Sequence, residues 1–155
     1  MSFGQRMSIR DVDPEVYKAV AGLSRYVRKG NLGEGLIALV EIRASQINHC
    51  AWCLDMHAFQ ARKAGVEQRK IDLVAAWAEA GDLFGPREKA ALALTEAVTR
   101  ISRGGVTDEV WEAVTAVFDE MDTLHLLMAI ATINVYNRMN VAARTALLAE
   151  PSVPA

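Results

Sequence analysis

Apolar residues recur at the spacing of an α-helix along nearly the whole chain, and no stretch alternates in the way a half-buried strand must. Val16, Ala19, Val20, Leu23 and Val27 make one such face; Val110, Trp111, Val114, Val117 and Phe118 make another. Capping and breaking residues divide the pattern into elements. Asp13 can cap a first long helix with Pro14 in its opening position, and Lys29-Gly30-Asn31 ends it. Residues 33–47 read as a second, largely buried helix, and a third runs to Gly65, a residue suited to the left-handed turn that closes a helix. Residues 66–80 read as a fourth helix. A turn-rich stretch over 81–86 follows, in which Leu83 and Phe84 read as packing plugs rather than as a lid over a pocket, the less common alternative, and Pro86 opens a fifth helix reaching residue 102. Thr107 caps a sixth over 108–120. The last starts at Asp122 or Thr123 and runs to Leu148 unless it breaks between Asn134 and Asn140.

The expected fold is therefore all-α, a bundle of helices joined by short loops. Its expected organisation is an N-terminal arm over residues 1–12, one helical domain over 13–149 and a flexible tail over 150–155. A hydrophobic content of 52% is enough for a core of several helices, with apolar surface left for contacts between subunits. A formal net charge of −2 argues against a nucleic-acid binder. The N-terminal residues lack the apolar core of a signal peptide, and the longest apolar run, 126–133, is too short to span a bilayer.

Chemistry concentrates in Ser45-Gln-Ile-Asn-His-Cys-Ala-Trp-Cys-Leu-Asp-Met-His57. It holds both cysteines of the chain, Cys50 and Cys53, and His57 follows the second by four residues, so that one helical turn brings imidazole and thiol to the same face. Asn48 is read as the helix N-cap, which puts both sulfurs near the positive end of the helix dipole. The first cysteine is best placed for the dipole and the second for the histidine. The reading taken is Cys53 as attacking thiolate and Cys50 as resolving thiol. A peroxide would oxidise Cys53 to a sulfenic acid, which Cys50 would convert to a disulfide. The thiols and imidazoles add up to a Cys2His2 zinc set, but His57 lies too close to the cysteines for the usual finger loop. No metal or cofactor is expected. A lone cysteine pair suits a cytoplasmic, reducing compartment in which it would cycle rather than staple. His49 is read as a cap-region residue; His125 and Tyr136, on the last helix, could approach the site. Asn134, Asn137 and Asn140 recur every three residues, a polar stripe suited to bonds between helices.

The run RASQINHCAWCLDMHAFQARKAG, Arg43 to Gly65, resembles the core of the carboxymuconolactone decarboxylase superfamily, and within it the alkylhydroperoxidase AhpD-like branch. The similarity continues through AAWAEAGDLFGPREKAALALTEAVTRI and AIATINVYNRMNVAAR. The resemblance implies an AhpD-like helical bundle assembled into a homo-oligomer, a trimer or hexamer. It implies a peroxide substrate and an external thiol or dithiol reductant. Its second cysteine attacks, matching Cys53, its first resolves, matching Cys50, and its histidine matches His57. The family's relay glutamate falls at Ala38 here; Glu41 and Glu34, each about a turn away, are the candidates to replace it, and Glu41 is placed in the site. Where the family has a histidine between the cysteines this chain has Trp52. The leading function is a thiol peroxidase acting on hydrogen peroxide or organic hydroperoxides. The alternatives are a redox sensor or structural protein on the same core and, further off, a decarboxylase.

Overall fold

In a computed structural model, which describes residues 4–151, the chain is arranged around one helix. This is α3, Glu34–Ile47, which follows α1 (Ile9–Val12) and α2 (Glu15–Arg28). The run from Ile37 to Ile42 is buried without interruption, as are Ala44 and Ser45. A helix apolar on all sides must be covered on all sides. The cover is supplied by α4 (Ala51–Lys63), α6 (Pro86–Thr99) and α8 (Glu120–Ala143), which all pack on α3. Between them lie α5 (Gln68–Leu73) and α7 (Asp108–Thr115). Among the described residues there is no strand.

Two apolar clusters flank α3. Val27, Ile37, Val40, Leu94, Val114, Leu126 and Ile130 form one with α2, α6, α7 and α8. Leu39, Ile42, Ala61, Val74, Phe84 and Leu92 form the other with α4 and α6. Each fully buried large side chain in these clusters contributes roughly 1.5–3 kcal/mol over its exposed state. Phe84 is 1% exposed and packs in the second, so it is a plug, as read from the sequence. A third, smaller cluster joins Ala44, Cys50, Cys53 and Ile133, with Trp52 and Tyr136 against it.

Several helix starts follow the caps the sequence announces. Asp13 Oδ1 accepts the Glu15 N–H at 2.9 Å, Thr107 Oγ1 accepts that of Val110 at 3.4 Å, and Pro86 occupies the first turn of α6. Four helices depart from their expected bounds. The fourth helix keeps α-geometry only to Leu73; residues 74–79 tighten into a 3-10 helix with Ala76 out of helical geometry (φ −116°, ψ 27°). There Trp77 is tied to α6, its Nε1 donating to Glu96 Oε1 at 2.9 Å, a tertiary tether that overrides a helix-prone sequence. The fifth helix stops at Thr99 and the sixth at Thr115. The last begins at Glu120, capped by Asp119 Oδ1 on the Asp122 N–H at 2.7 Å, crosses the asparagine stripe unbroken and ends at Ala143.

The stretch expected as an arm is fastened down. Its N–H groups at Arg6 and Met7 donate to Ala143 O at 2.9 and 3.4 Å, and Gln5 Oε1 accepts from the Ala146 N–H at 3.3 Å. Residues 1–3 of the expected arm and 152–155 of the expected tail lie outside the described residues.

Candidate active site

The site is made by the way α3 stops. His49 adopts a left-handed conformation, φ 54°. Its N–H reaches back to Gln46 O at 3.2 Å, and the N–H of Cys50 reaches Ser45 O at 3.0 Å. These paired bonds are the Schellman closure, which usually takes glycine at the left-handed position. The turn reverses the chain, so Cys50, not Asn48, becomes the N-cap residue of α4; Asn48 is the C-cap of α3. The correction matters chemically, because the first sulfur then sits directly at the helix start. His49 itself is exposed, a cap-region residue as expected.

The two sulfurs lie 2.7 Å apart, and the residues are 2% and 0% exposed. Two thiols this close share their protons unequally. Donation from Cys53 is the main influence on Cys50. It outweighs burial and is reinforced by the backbone N–H of Cys53, the Asn137 amide and the charge of His57, so that the Cys50 thiol is lowered to about 7. Cys53 is pushed above the ordinary thiol range by the same shared proton, by burial and by the charge on Cys50. His57 and Cys53 are one turn apart on α4, yet the charge of His57 is felt at Cys50, where it is the smallest of the influences that lower the thiol.

His57 is 3% exposed. Its Nδ1 lies 2.7 Å from Gln60 Oε1 and 2.9 Å from Glu41 Oε2. Both neighbours are acceptors, so Nδ1 carries the hydrogen. The bond is aligned on Gln60, while Glu41 Oε2 stands as an ion-pair partner without an aligned hydrogen bond. Burial opposes charge on both groups but loses. The Glu41 carboxylate raises His57 above its ordinary value, and His57 with Arg28, 3.5 Å from Glu41 Oε1, holds the Glu41 carboxyl below its own. His57 Nε2 is buried with no hydrogen-bond partner among the described residues, a donor free for something that enters the site.

The two candidate glutamates lie in different places. Glu41 is 7% exposed and meets His57, whereas Glu34 faces water and pairs with Arg28 at 3.3 Å. Ala38 is buried in the second apolar cluster. Tyr136 reaches the sulfur cluster; His125 does not, and packs instead against Tyr26 near the opposite end of α8.

The asparagine stripe forms bonds between helices, as its spacing suggested. Asn48 Nδ2 donates to Asn134 Oδ1 and Asn137 Oδ1, both at 2.9 Å, joining the α3–α4 turn to α8. Asn137 Nδ2 donates to Ser45 Oγ at 2.9 Å. Asn140 Nδ2 lies 3.5 Å from Cys53 Sγ. The three-residue spacing signalled one face of a helix; nothing in it signalled sulfur.

The family profile for carboxymuconolactone decarboxylases matches residues 14–97, more than half of the chain and including both cysteines, Glu41 and His57. The chain belongs to the carboxymuconolactone decarboxylase family. Within this family it is 37% identical over 138 residues to the uncharacterised Bacillus subtilis protein YdfG, covering 89% of this chain and 93% of that one. It is 34% identical to ATU0492 of Agrobacterium tumefaciens, a protein of unknown function with the provisional description antioxidant defence protein AhpD. The two superpose with a TM-score of 0.89 over 95% of this chain and 100% of the other. The debrominase Bmp8 shares the fold at 20% identity, with a TM-score of 0.78 over 90% of this chain and 74% of its own. This family member is thus an AhpD-like helical bundle with a close cysteine pair. Among its described residues no helix is long and apolar enough to cross a membrane, and no three His, Cys, Asp or Glu side chains are placed to hold a metal.

Proposed function

We propose that this protein is a thiol-dependent peroxidase that reduces hydrogen peroxide or organic hydroperoxides through a Cys50–Cys53 dithiol/disulfide cycle. The observation that carries the reading is the pair of sulfurs 2.7 Å apart at the start of α4, one of them acidic enough to be substantially ionised at neutral pH. Cys53 attacks the peroxide as its thiolate and becomes a sulfenic acid. Cys50 condenses with it, releasing water and leaving the disulfide. His57, kept cationic by Glu41, stabilises negative charge in the pair, and its free Nε2–H can donate to the leaving oxygen. A thiol or dithiol reductant restores the pair by exchange in a reducing, cytoplasmic setting.

The working form is proposed as a homo-oligomer, a trimer or hexamer. Met121, Leu124, Trp111 and Val135 are apolar side chains 37–58% exposed, surface that a further copy would cover. Sedimentation equilibrium decides this, and a monomer across micromolar concentrations ends the oligomer claim.

Peroxide consumption with dithiothreitol, dihydrolipoamide or a thioredoxin system tests the activity, and intact mass after one equivalent of peroxide tests the route. The wild type loses two hydrogens as the disulfide forms. Cys50→Ser gains one oxygen at Cys53, and Cys53→Ser fails to turn over. Oxidation of the Cys53 variant at Cys50, with the Cys50 variant unmodified, reverses the two roles. A wild type that forms no disulfide with any peroxide leaves the non-catalytic reading in its place, which the near-complete burial of both sulfurs favours.

A further inference from the structure

The sulfur pair holds its charge on Cys50, yet the cycle proposed above uses Cys53 as attacking group and, on the return, as leaving group. Both moments place negative charge on Cys53. One side chain is built to receive it. Asn140 is 2% exposed, and both ends of its amide are engaged. Its Oδ1 accepts the Thr145 hydroxyl at 3.0 Å, which turns Nδ2 toward Cys53 Sγ at 3.5 Å. A flipped amide would aim carbonyl lone pairs at the sulfur, which a thiolate on Cys53 would repel, and the Thr145 hydroxyl holds the amide in place by donating to Oδ1.

Thr145 is delivered by a second left-handed helix end. Arg144 has φ 52°, the Arg144 N–H donates to Val141 O at 3.3 Å and the Thr145 N–H donates to Asn140 O at 3.0 Å, the same Schellman closure as at His49. The N-terminal stretch clamps this end through the Arg6 and Met7 N–H groups on Ala143 O. Asn134 and Asn137 spend their amides on Thr99, Ile130, Asn48 and Ser45. The Asn137 amide also favours charge on both sulfurs, but at Cys53 the larger influence is Asn140, whose Nδ2 points at that sulfur.

We propose that Asn140, oriented by Thr145, is the positioning residue that lets the charge of the dithiol move from Cys50 to Cys53. A proton passes from Cys53 Sγ to Cys50 Sγ, and the Cys53 thiolate settles against Asn140 Nδ2–H. In attack, the S–O bond forms as the peroxide O–O bond breaks, and the departing alkoxide takes the His57 Nε2 proton to leave as alcohol, His57 being reprotonated from solvent. Cys50 then displaces the sulfenic hydroxyl as water. In reduction, a dithiol's thiolate attacks Cys50 Sγ and the S–S electron pair leaves on Cys53, again against Asn140. The dithiol's second sulfur releases Cys50 and carries the two electrons' worth of oxidation away.

The inference rests on the peroxidase reading for its use in turnover, but the acidity of Cys53 is measurable without peroxide. In a Cys50→Ser background, thiolate absorbance or the pH dependence of iodoacetamide alkylation gives the Cys53 pKa. Asn140→Ala raises it by about one unit, the scale of one hydrogen bond to a charged group. Asn140→Asp raises it further by adding like charge. Thr145→Val raises it by less, in the same direction, and leaves the buried amide in place should the Ala variant fail to fold. Asn134→Ala, which disturbs the same stripe away from sulfur, leaves it unchanged. An unchanged pKa in Thr145→Val together with a folded Asn140→Ala overturns the proposal, as does an equal shift in Asn134→Ala. Loss of peroxide turnover in every form of the protein, with these shifts intact, removes the peroxidase reading and leaves the role of Asn140 standing.

Discussion

The protein buries two histidines, and they differ in everything except burial. His57, 3% exposed, sits between Glu41 and Gln60 a turn from Cys53, and its charge is held by the carboxylate. His125, 6% exposed, lies on α8 fifteen residues before Asn140, a rise of about 22 Å. Its ring is 4.9 Å from that of Tyr26 at 51°, and its Nδ1 has no hydrogen-bond partner among the described residues. Gly30 lies against the ring so closely that a Cβ there would collide with it. One histidine is set by electrostatics and the other by packing. An imidazole becomes part of a reactive site when a second group fixes its charge and a third, here a sulfur, can use it.

The largest separation should come from His57→Ala against His125→Leu. The first should slow thiol alkylation and peroxide reduction by about 10²-fold near neutral pH. The deficit should close as solvent deprotonates the thiol at alkaline pH. The second should leave the alkylation profile in place. Alkylation rates at several pH values for both variants decide whether the two regions are as different as their surroundings.

Next in size is Glu41→Gln. The signs are opposite for the two partners. Glu41, held below its ordinary 4.5, contributes stability that is present above that value and lost as pH falls through its lowered one. His57, raised above 6.5, contributes stability that is complete below 6.5 and lost as pH rises through its raised value. The pair therefore supports the fold best between these limits. The variant should lose about 2 kcal/mol there, the scale of a hydrogen-bonded charged partner, and show a flatter stability profile on the alkaline side. Urea unfolding from pH 5 to 9 measures it; parallel profiles would mean that the pair is not ionised in the fold.

Gly30→Ala should cost about 1.5 kcal/mol by overpacking against His125 while leaving Cys50 acidity untouched, read by a melt and a thiol titration together. Smallest is Glu34→Gln. That carboxylate is 61% exposed and pairs with Arg28 from the surface, so its loss should change stability by less than about 0.5 kcal/mol and turnover not at all. A loss of turnover in Glu34→Gln would return Glu34 to the relay.

The cysteines and His57 could be grouped from the sequence because a helix puts residues four apart on one face. Glu41 was half legible: it and Glu34 each lie about a turn from Ala38, and only the α3–α4 packing shows that Glu41 is the one that meets His57. Among the described residues three helices close by the same left-handed turn, at Gly65, His49 and Arg144. Only the glycine announced itself. A histidine or arginine forced to positive φ gives no sequence signal, and strain of that kind is tolerated where surrounding structure determines it. Both unannounced turns border the sulfur pair. One makes Cys50 a helix cap, and the other brings Thr145 to Asn140. The assignment of Asn48 as cap failed for that reason: its side-chain type was right and the backbone reversal one residue later was invisible.

The 2.7 Å contact between Cys50 and Cys53 has a kinetic meaning in the proposed cycle. A sulfenic acid on Cys53 faces two competitors, the neighbouring thiol and a second molecule of peroxide. Well-oriented neighbours react as though present at about 10⁵ M or more. Against peroxide at about 10⁻³ M, equal intrinsic reactivity would give the thiol a lead of roughly 10⁸. The protein would then need no repair of sulfinic acid, because the irreversible rung of sulfur oxidation is closed off by proximity rather than by an enzyme that undoes it.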